Sequence, residues 1–224
     1  MQSIQTVSEN TIYVGASDRR LAKFENLFPI PRGVSYNAYV ILDEKTALLD
    51  TADASVGAQF LENVAAALDG RKLDYLIVDH MEPDHAAMIE AVLVRWPDLR
   101  LVVNAKTLPM LKMYFPTDSA AIDDALVVKE GDTLDLGKHK LTFVMAPMVH
   151  WPEVMVCYES GEKVLFSADA FGKFGALDTD QPWTDEARRY YLNIVGKYGA
   201  PVQTLLKKAA KLDIRTICPL HGPV

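Results

Sequence analysis

Four side chains of the types that bind metal ions fall within one run of six residues. The run reads His80-Met81-Glu82-Pro83-Asp84-His85, so two imidazoles and two carboxylates crowd together. Such groups repel one another or lose hydration unless a cation joins them. A helix N-cap would explain Asp84 alone, and a solvated turn would explain Glu82 alone. The spacing as a whole instead predicts a polynuclear metal site.

Three more candidate ligands lie just beyond predicted strands. The chain has five histidines; His150 and His221 each follow a strand-like run, as does Asp169. Because strand ends meet at the crevice of a layered α/β fold, we expect these side chains to join the first run. The fifth histidine, His139, is flanked by two lysines, and we predict that it is a solvated surface residue. The expected ligands are His80, Glu82, Asp84, His85, His150, Asp169 and His221.

Hydrophobic periodicity predicts strands and helices interspersed along the whole chain. Strands are predicted at residues 11–15, 36–42, 45–51, 75–78, 101–103, 126–128, 133–136, 140–145, 154–158, 163–167 and 215–218. Helices are predicted at residues 54–68, 86–94, 106–114, 184–195 and 202–212. Strands from both halves of the chain predict two packed sheets covered outside by helices. We therefore expect one α/β domain over residues 1–224, an αββα sandwich rather than a doubly wound sheet.

Composition excludes several classes of partner. The net charge is −7 and the pI is about 5.2. The chain therefore lacks the excess of positive charge that binds nucleic acid or an anionic membrane. The two cysteines, Cys157 and Cys218, lie far apart in sequence, so we expect no disulfide framework and a reducing, cytoplasmic compartment. The N-terminus lacks a signal pattern, and charged residues interrupt every apolar stretch before membrane-spanning length. A soluble protein is expected.

The ligand pattern resembles the diiron core of the flavodiiron proteins, which belong to the metallo-β-lactamase superfamily. Other segments resemble that family in the same order, namely 33–37 (GVSYN), 47–51 (ALLDT), 150–152 (HWP), 169–172 (DAFG) and 189–191 (RYY). The resemblance covers nearly the whole chain. It implies a metallo-β-lactamase-like αββα sandwich that binds two iron ions.

The resemblance also implies a role for each candidate ligand. It puts His80, Glu82 and His150 on one iron, Asp84, His85 and His221 on the other, and Asp169 as the bridge between them. Glu82 stands where the zinc hydrolases of the superfamily usually carry a histidine, which favours iron over zinc, although zinc accepts the same ligand types. Tyr191 matches a family tyrosine near the diiron pocket, where its hydroxyl would hydrogen-bond a bound oxygen species; the alternative is an aromatic ring packed in the core.

In the family, the reduced iron pair reduces dioxygen to water or nitric oxide to nitrous oxide. The resemblance therefore implies an oxidoreductase. The family's flavodoxin domain would follow His221, and the chain stops at Val224, so we expect no FMN site here and a separate flavodoxin or rubredoxin as electron donor. An oxygen sensor or carrier that holds dioxygen as a persistent adduct and signals to a partner is the alternative. A zinc hydrolase is less expected, and a homodimer is left open.

Overall fold

Strands and helices alternate along residues 3–116, 119–180 and 182–224, which this computed structural model describes. The strands are β1 (Gln5–Thr6), β2 (Thr11–Tyr13), β3 (Ala16–Asp18), β4 (Lys23–Phe24), β5 (Phe28–Pro29), β6 (Val34–Tyr36), β7 (Tyr39–Leu42), β8 (Thr46–Leu49), β9 (Tyr75–Ile77), β10 (Arg100–Asn104), β11 (Leu126–Val128), β12 (Thr133–Asp135), β13 (Lys140–Met145), β14 (Met155–Glu159), β15 (Val164–Phe166) and β16 (Thr216–Cys218). The helices are α1 (Gly57–Leu68), α2 (Pro83–Ala86), α3 (Ile89–Arg95), α4 (Thr107–Tyr114), α5 (Ser119–Asp123), α6 (Trp183–Tyr190) and α7 (Gly199–Ala209). Within the described ranges, no helix combines the length and apolar character that a membrane crossing requires.

The strands build two main sheets. The first has the order β1-β2-β7-β8-β9-β10-β11, and the second has the order β12-β13-β14-β15-β16. Strands β8, β9, β10 and β11 run parallel, as do β15 and β16, whereas the other pairs in these two sheets are antiparallel. Two short ribbons, β3 with β6 and β4 with β5, complete the described strands.

Side chains alternate between two apolar cores along each central strand. In β7 and β8, Ile41 and Leu49 join the core between the sheets, whereas Val40 and Leu48 join the core that lies under the helices. The second sheet adds Phe143 to the core between the sheets. Because successive side chains of a strand point to opposite faces, this alternation places one sheet against the other and helices outside. The predicted αββα arrangement is confirmed.

The structure has a helix at each predicted position, but several helices begin or end at other residues than predicted. The predicted helix at 86–94 is divided into α2 and α3, and α2 begins at Pro83. The predicted helix at 184–195 is α6 followed by a π-helix at Tyr191–Val195. Periodicity missed the short strands β1, β3, β4 and β5 because two or three residues carry too little pattern.

The prediction that His139 is a solvated surface residue is wrong. His139 is only 5 % exposed. The turn between β12 and β13 folds against the turn between β7 and β8, where the Asp43 carboxylate accepts a hydrogen bond from the His139 backbone N–H at 2.6 Å and contacts its Nδ1 at 2.8 Å. The flanking lysines suggested a solvated turn, but a partner distant in sequence buries the imidazole.

Replacing Phe143 with alanine should show how much the core between the sheets stabilises the fold. Phe143 is fully buried, and such a truncation costs about 3–5 kcal/mol through lost transfer energy and a residual cavity. Urea denaturation measures the free energy of unfolding. The control is Val94→Ala on α3, where the side chain is 74 % exposed and the expected change is within about 0.5 kcal/mol. Equal losses of unfolding free energy in the two variants would contradict this account of the core.

Candidate metal centre

All seven predicted ligand residues meet at one end of the sandwich. Strands β9, β13, β15 and β16 each end just before a segment that carries one or more of them. Each of the seven residues is at most 8 % exposed. The topology therefore confirms that these residues share one crevice, as the strand-end argument predicted.

The first group of ligand-type atoms comes from His80, Glu82, His150 and Asp169, which all lie within 4.8 Å of one another. His150 Nε2 lies 3.0 Å from Glu82 Oε2 and 3.1 Å from Asp169 Oδ2. His80 Nε2 lies 3.3 Å from Glu82 Oε2. Two imidazole nitrogens and two carboxylate oxygens thus face a common point.

The second group comes from Asp84, His85 and His221. His221 Nε2 lies 3.2 Å from Asp84 Oδ2 and 3.0 Å from His85 Nε2. His85 Nε2 lies 3.4 Å from the same Asp84 oxygen. Again the nitrogens and the carboxylate oxygen converge.

Asp169 stands between the two groups. Its Oδ2 atom is 3.1 Å from His150 Nε2 in the first group, and its Oδ1 atom is 3.2 Å from His85 Nε2 in the second. One carboxylate therefore offers one oxygen to each group. This geometry is the one that a bridging ligand requires.

Several buried groups in the crevice have no hydrogen-bond partner among the described residues. They include both carboxylate oxygens of Asp84 and the Oδ1 atom of Asp169. Buried polar atoms are normally paired or coordinate a metal. Four imidazoles and three carboxylates in two adjacent groups fit a pair of divalent cations, and the donor types suit iron or zinc.

Neighbouring groups fix the orientation of two imidazoles. His80 Nδ1 lies 2.8 Å from Glu153 Oε1, which also accepts the Met81 backbone N–H at 2.9 Å. His221 Nδ1 donates to the Ser35 carbonyl at 2.7 Å. Such contacts turn Nε2 toward the metal position and select the tautomer that can ligate. Sequence reasoning missed Glu153, although an acid three residues after His150 was a visible signal.

The turn that carries the first ligands is itself held from behind. Asp50 Oδ1 accepts the backbone N–H groups of Asp79 at 2.9 Å and His80 at 3.2 Å. Pro83 opens α2, whose first turn brings Asp84 and His85 into the crevice. The position of these ligands therefore depends on a buried carboxylate one strand away.

Tyr190, rather than the predicted Tyr191, presents its hydroxyl to the ligands. Tyr190 is 1 % exposed, and its ring centroid lies 5.5 Å from that of His221. Burial and then the Asp169 carboxylate raise the pKa of Tyr190 well above its usual value. Tyr191 begins the π-helix and is 41 % exposed. Adjacent residues of a helix point about 100° apart, so a one-residue difference decides which ring faces the crevice.

Glu25, on the turn between β4 and β5, borders the crevice and was not predicted. Its carboxyl group hydrogen-bonds with Glu82, and this contact, together with partial burial, raises the pKa of Glu25 to about 8. Two carboxyl groups this close share a proton more readily than they carry two charges. Only the folded chain brings these distant residues together.

Carboxylates raise the pKa of two histidines of the crevice in the metal-free protein. Burial alone would lower the pKa of His150, but Asp169 and Glu82 raise it to about 9. Burial likewise opposes the charged form of His221, whereas Asp84 and Asp169 raise its pKa to about 9. The same pairing lowers the pKa of Asp169 well below its usual value despite its burial.

The metal-free protein should lose stability as the pH rises from 6.5 to 9. A histidine whose folded pKa exceeds its unfolded value of about 6.5 contributes its full stabilisation below pH 6.5 and loses it as the pH passes 9. The raised pKa of Glu25 acts in the same direction. Thermal unfolding of chelator-treated protein across this range measures the trend, which should be shallower in His150→Gln. A thermal unfolding midpoint that rises with pH in the metal-free wild type would contradict this prediction.

Comparison with known proteins agrees with this geometry. The ODP family beta lactamase model matches residues 34–222. The nitric oxide reductase of Moorella thermoacetica is 35 % identical over 227 residues, covering 96 % of this chain and 56 % of the relative. The rubredoxin-oxygen oxidoreductase of Megalodesulfovibrio gigas is 33 % identical over 224 residues, covering 94 % and 54 %. The chain thus spans about half the length of these curated relatives.

A solved structure gives the same result at the level of the fold. The flavodiiron protein from Giardia intestinalis superimposes with a TM-score of 0.92 at 27 % identity, over 99 % of this chain and 55 % of that one. The two packed sheets, the helices outside them and the ligand crevice are therefore those of a metallo-β-lactamase-like core. This chain belongs to the ODP family of beta lactamases and corresponds to the core domain of the flavodiiron proteins.

Proposed function

We propose that this chain is a diiron oxidoreductase core that reduces nitric oxide or dioxygen. The observation that carries the proposal is the Asp169 carboxylate, which turns one oxygen toward each of two groups of histidine and carboxylate ligands. Relatives named as a nitric oxide reductase and a rubredoxin-oxygen oxidoreductase support this chemistry. A separate flavodoxin or rubredoxin would supply the electrons, and the two buried free cysteines are consistent with a cytoplasmic location.

In this proposal the ligands divide as the two groups do. His80, Glu82 and His150 would hold one iron, Asp84, His85 and His221 would hold the other, and Asp169 would serve both. The bound iron pair would supply the redox chemistry, since iron has accessible ferrous and ferric states. Three carboxylates make this ligand set hard and anionic, which suits iron in both states and favours iron over zinc.

The remaining residues of the crevice orient ligands and supply hydrogen bonds. Glu153 and Ser35 hold the imidazoles of His80 and His221 so that Nε2 faces the metal position. Tyr190 offers a buried hydroxyl beside the Asp169 carboxylate, from which it can donate to a substrate oxygen. Glu25 holds a proton at the edge of the same crevice, next to Glu82.

Replacement of Asp169 should test the bridge. We expect Asp169→Ala to lose iron from both positions, because one carboxylate serves both, whereas Glu82→Ala should weaken mainly the first. Anaerobic loading with ferrous iron followed by elemental analysis gives the number of irons per chain. Asp178→Ala, which removes a carboxylate that is 68 % exposed, is the matched control and should retain both irons. Two tightly bound irons in Asp169→Ala would refute the bridging role.

Gas consumption should test the activity. The iron-loaded chain is mixed anaerobically with reduced rubredoxin or flavodoxin, and nitric oxide or dioxygen is added while its concentration and the visible spectrum are followed. We expect repeated consumption over many turnovers, and at least a hundredfold loss in Asp169→Ala. A single stoichiometric uptake that leaves a long-lived coloured species would contradict the reductase and indicate an oxygen carrier. Retention of zinc in preference to iron would contradict both.

A further inference from the structure

A second group of buried ligand-type side chains lies at the other end of the sandwich. Strand β14 connects the two ends, because the segment before it carries His150 and Glu153 and the strand itself ends at Glu159. At that distal end, Glu159 and Glu162 meet His139, which lies in the turn between β12 and β13. These residues belong to neither group of the proposed iron pair.

The three side chains are arranged closely enough to share one ion. One imidazole nitrogen and one oxygen from each glutamate lie within 4.8 Å of one another. His139 is 5 % exposed and Glu159 is fully buried, while the Glu162 side chain is 15 % exposed. The cluster is therefore shielded from water, unlike a patch of surface acids.

Asp43 orients His139 in the way that carboxylates orient metal-binding histidines. The Asp43 carboxylate holds both the His139 Nδ1 atom, at 2.8 Å, and the His139 backbone N–H, at 2.6 Å. The other ring nitrogen, Nε2, is left facing Glu162 Oε2 at 3.8 Å, which is too long for a hydrogen bond. A carboxylate on one ring nitrogen with the second nitrogen free is the usual arrangement of a ligating imidazole.

The charges of the cluster do not balance. Asp43, Glu159 and Glu162 bring three carboxylates against one imidazole. Arg71 donates to the Asp43 backbone carbonyl, but no lysine or arginine among the described residues forms an ion pair with any of the three carboxylates. Glu159 accepts the backbone N–H groups of Gly161 and Glu162, but each carboxylate oxygen has a second lone pair. Buried negative charge in excess of its partners is normally compensated by a cation.

We propose that His139, Glu159 and Glu162 bind one divalent metal ion, preferably Zn²⁺, at a site separate from the iron pair. One imidazole and two carboxylates are ligands that zinc accepts, with water completing the coordination. Glu162 also accepts hydrogen bonds from the Ser8 hydroxyl at 2.5 Å and the Asn10 backbone N–H at 3.1 Å. The ion would thus join the turn between β1 and β2, in the first sheet, to two turns of the second sheet.

Zinc titration of the iron-loaded chain tests this site. We expect the wild type to bind one Zn²⁺ per chain in calorimetry while its iron content stays unchanged, and its thermal unfolding midpoint to rise with Zn²⁺. His139→Gln and Glu162→Gln should each weaken this binding at least tenfold and abolish the thermal shift. Glu9→Gln, which removes an exposed carboxylate from the same β1–β2 turn, is the matched control and should behave as the wild type.

The result is independent of the proposed reductase activity, because the readout is zinc binding and not gas consumption. Absence of saturable zinc binding to the wild type, or equal affinity in His139→Gln, would overturn the proposal, as would zinc uptake matched by loss of iron. Circular dichroism checks that each variant is folded. Should His139→Gln fail to fold, Glu162→Gln decides the question, since its side chain is partly exposed and its amide keeps one hydrogen-bond acceptor for Ser8.

Discussion

The crevice is governed by one electrostatic constraint: three carboxylates and four imidazoles are buried within a few ångströms of one another. Asp169 is the centre of this arrangement because it faces both groups and is itself fully buried. Without a metal, the neighbouring carboxylates raise the pKa of His150 and of His221 to about 9, so both imidazoles stay protonated at a pH at which a free imidazole is neutral. Two bound cations would replace those protons, so metal binding and the stability of this end of the sandwich would depend on the same atoms.

The αββα fold meets this constraint by bringing four strand ends to one place. Strands β13, β15 and β16 run in the same direction in the second sheet, and the segments beyond them and beyond β9 of the first sheet carry the candidate ligands. Behind those loops, Asp50 holds the turn that carries His80, and Glu153 holds the His80 ring. The apolar core between the sheets fixes the strands, and the strands fix the geometry of the metal ligands.

The two ends of the sandwich present the same types of side chain in different arrangements. Each end holds histidine and carboxylate side chains from segments distant in sequence, and in each a carboxylate orients an imidazole, Glu153 for His80 and Asp43 for His139. At the first end, two groups share a bridging acid, which suits a reactive pair of metals. At the second, a single histidine and two glutamates join turns of both sheets, which suits a structural ion.

The sequence by itself determined the ligand types, because six consecutive residues place four ligands in a short turn and strand periodicity places the rest at strand ends. It also determined the layered α/β class, since the strand patterns of β7 and β8 and the helical pattern of α1 are local features of the sequence. The tertiary structure alone decided that Tyr190 faces the crevice, that Glu25 reaches Glu82, and that His139 is buried against Asp43. Packing across the sheets decides which of two adjacent helical residues faces the crevice and which distant turns touch. No local pattern of residues encodes that packing.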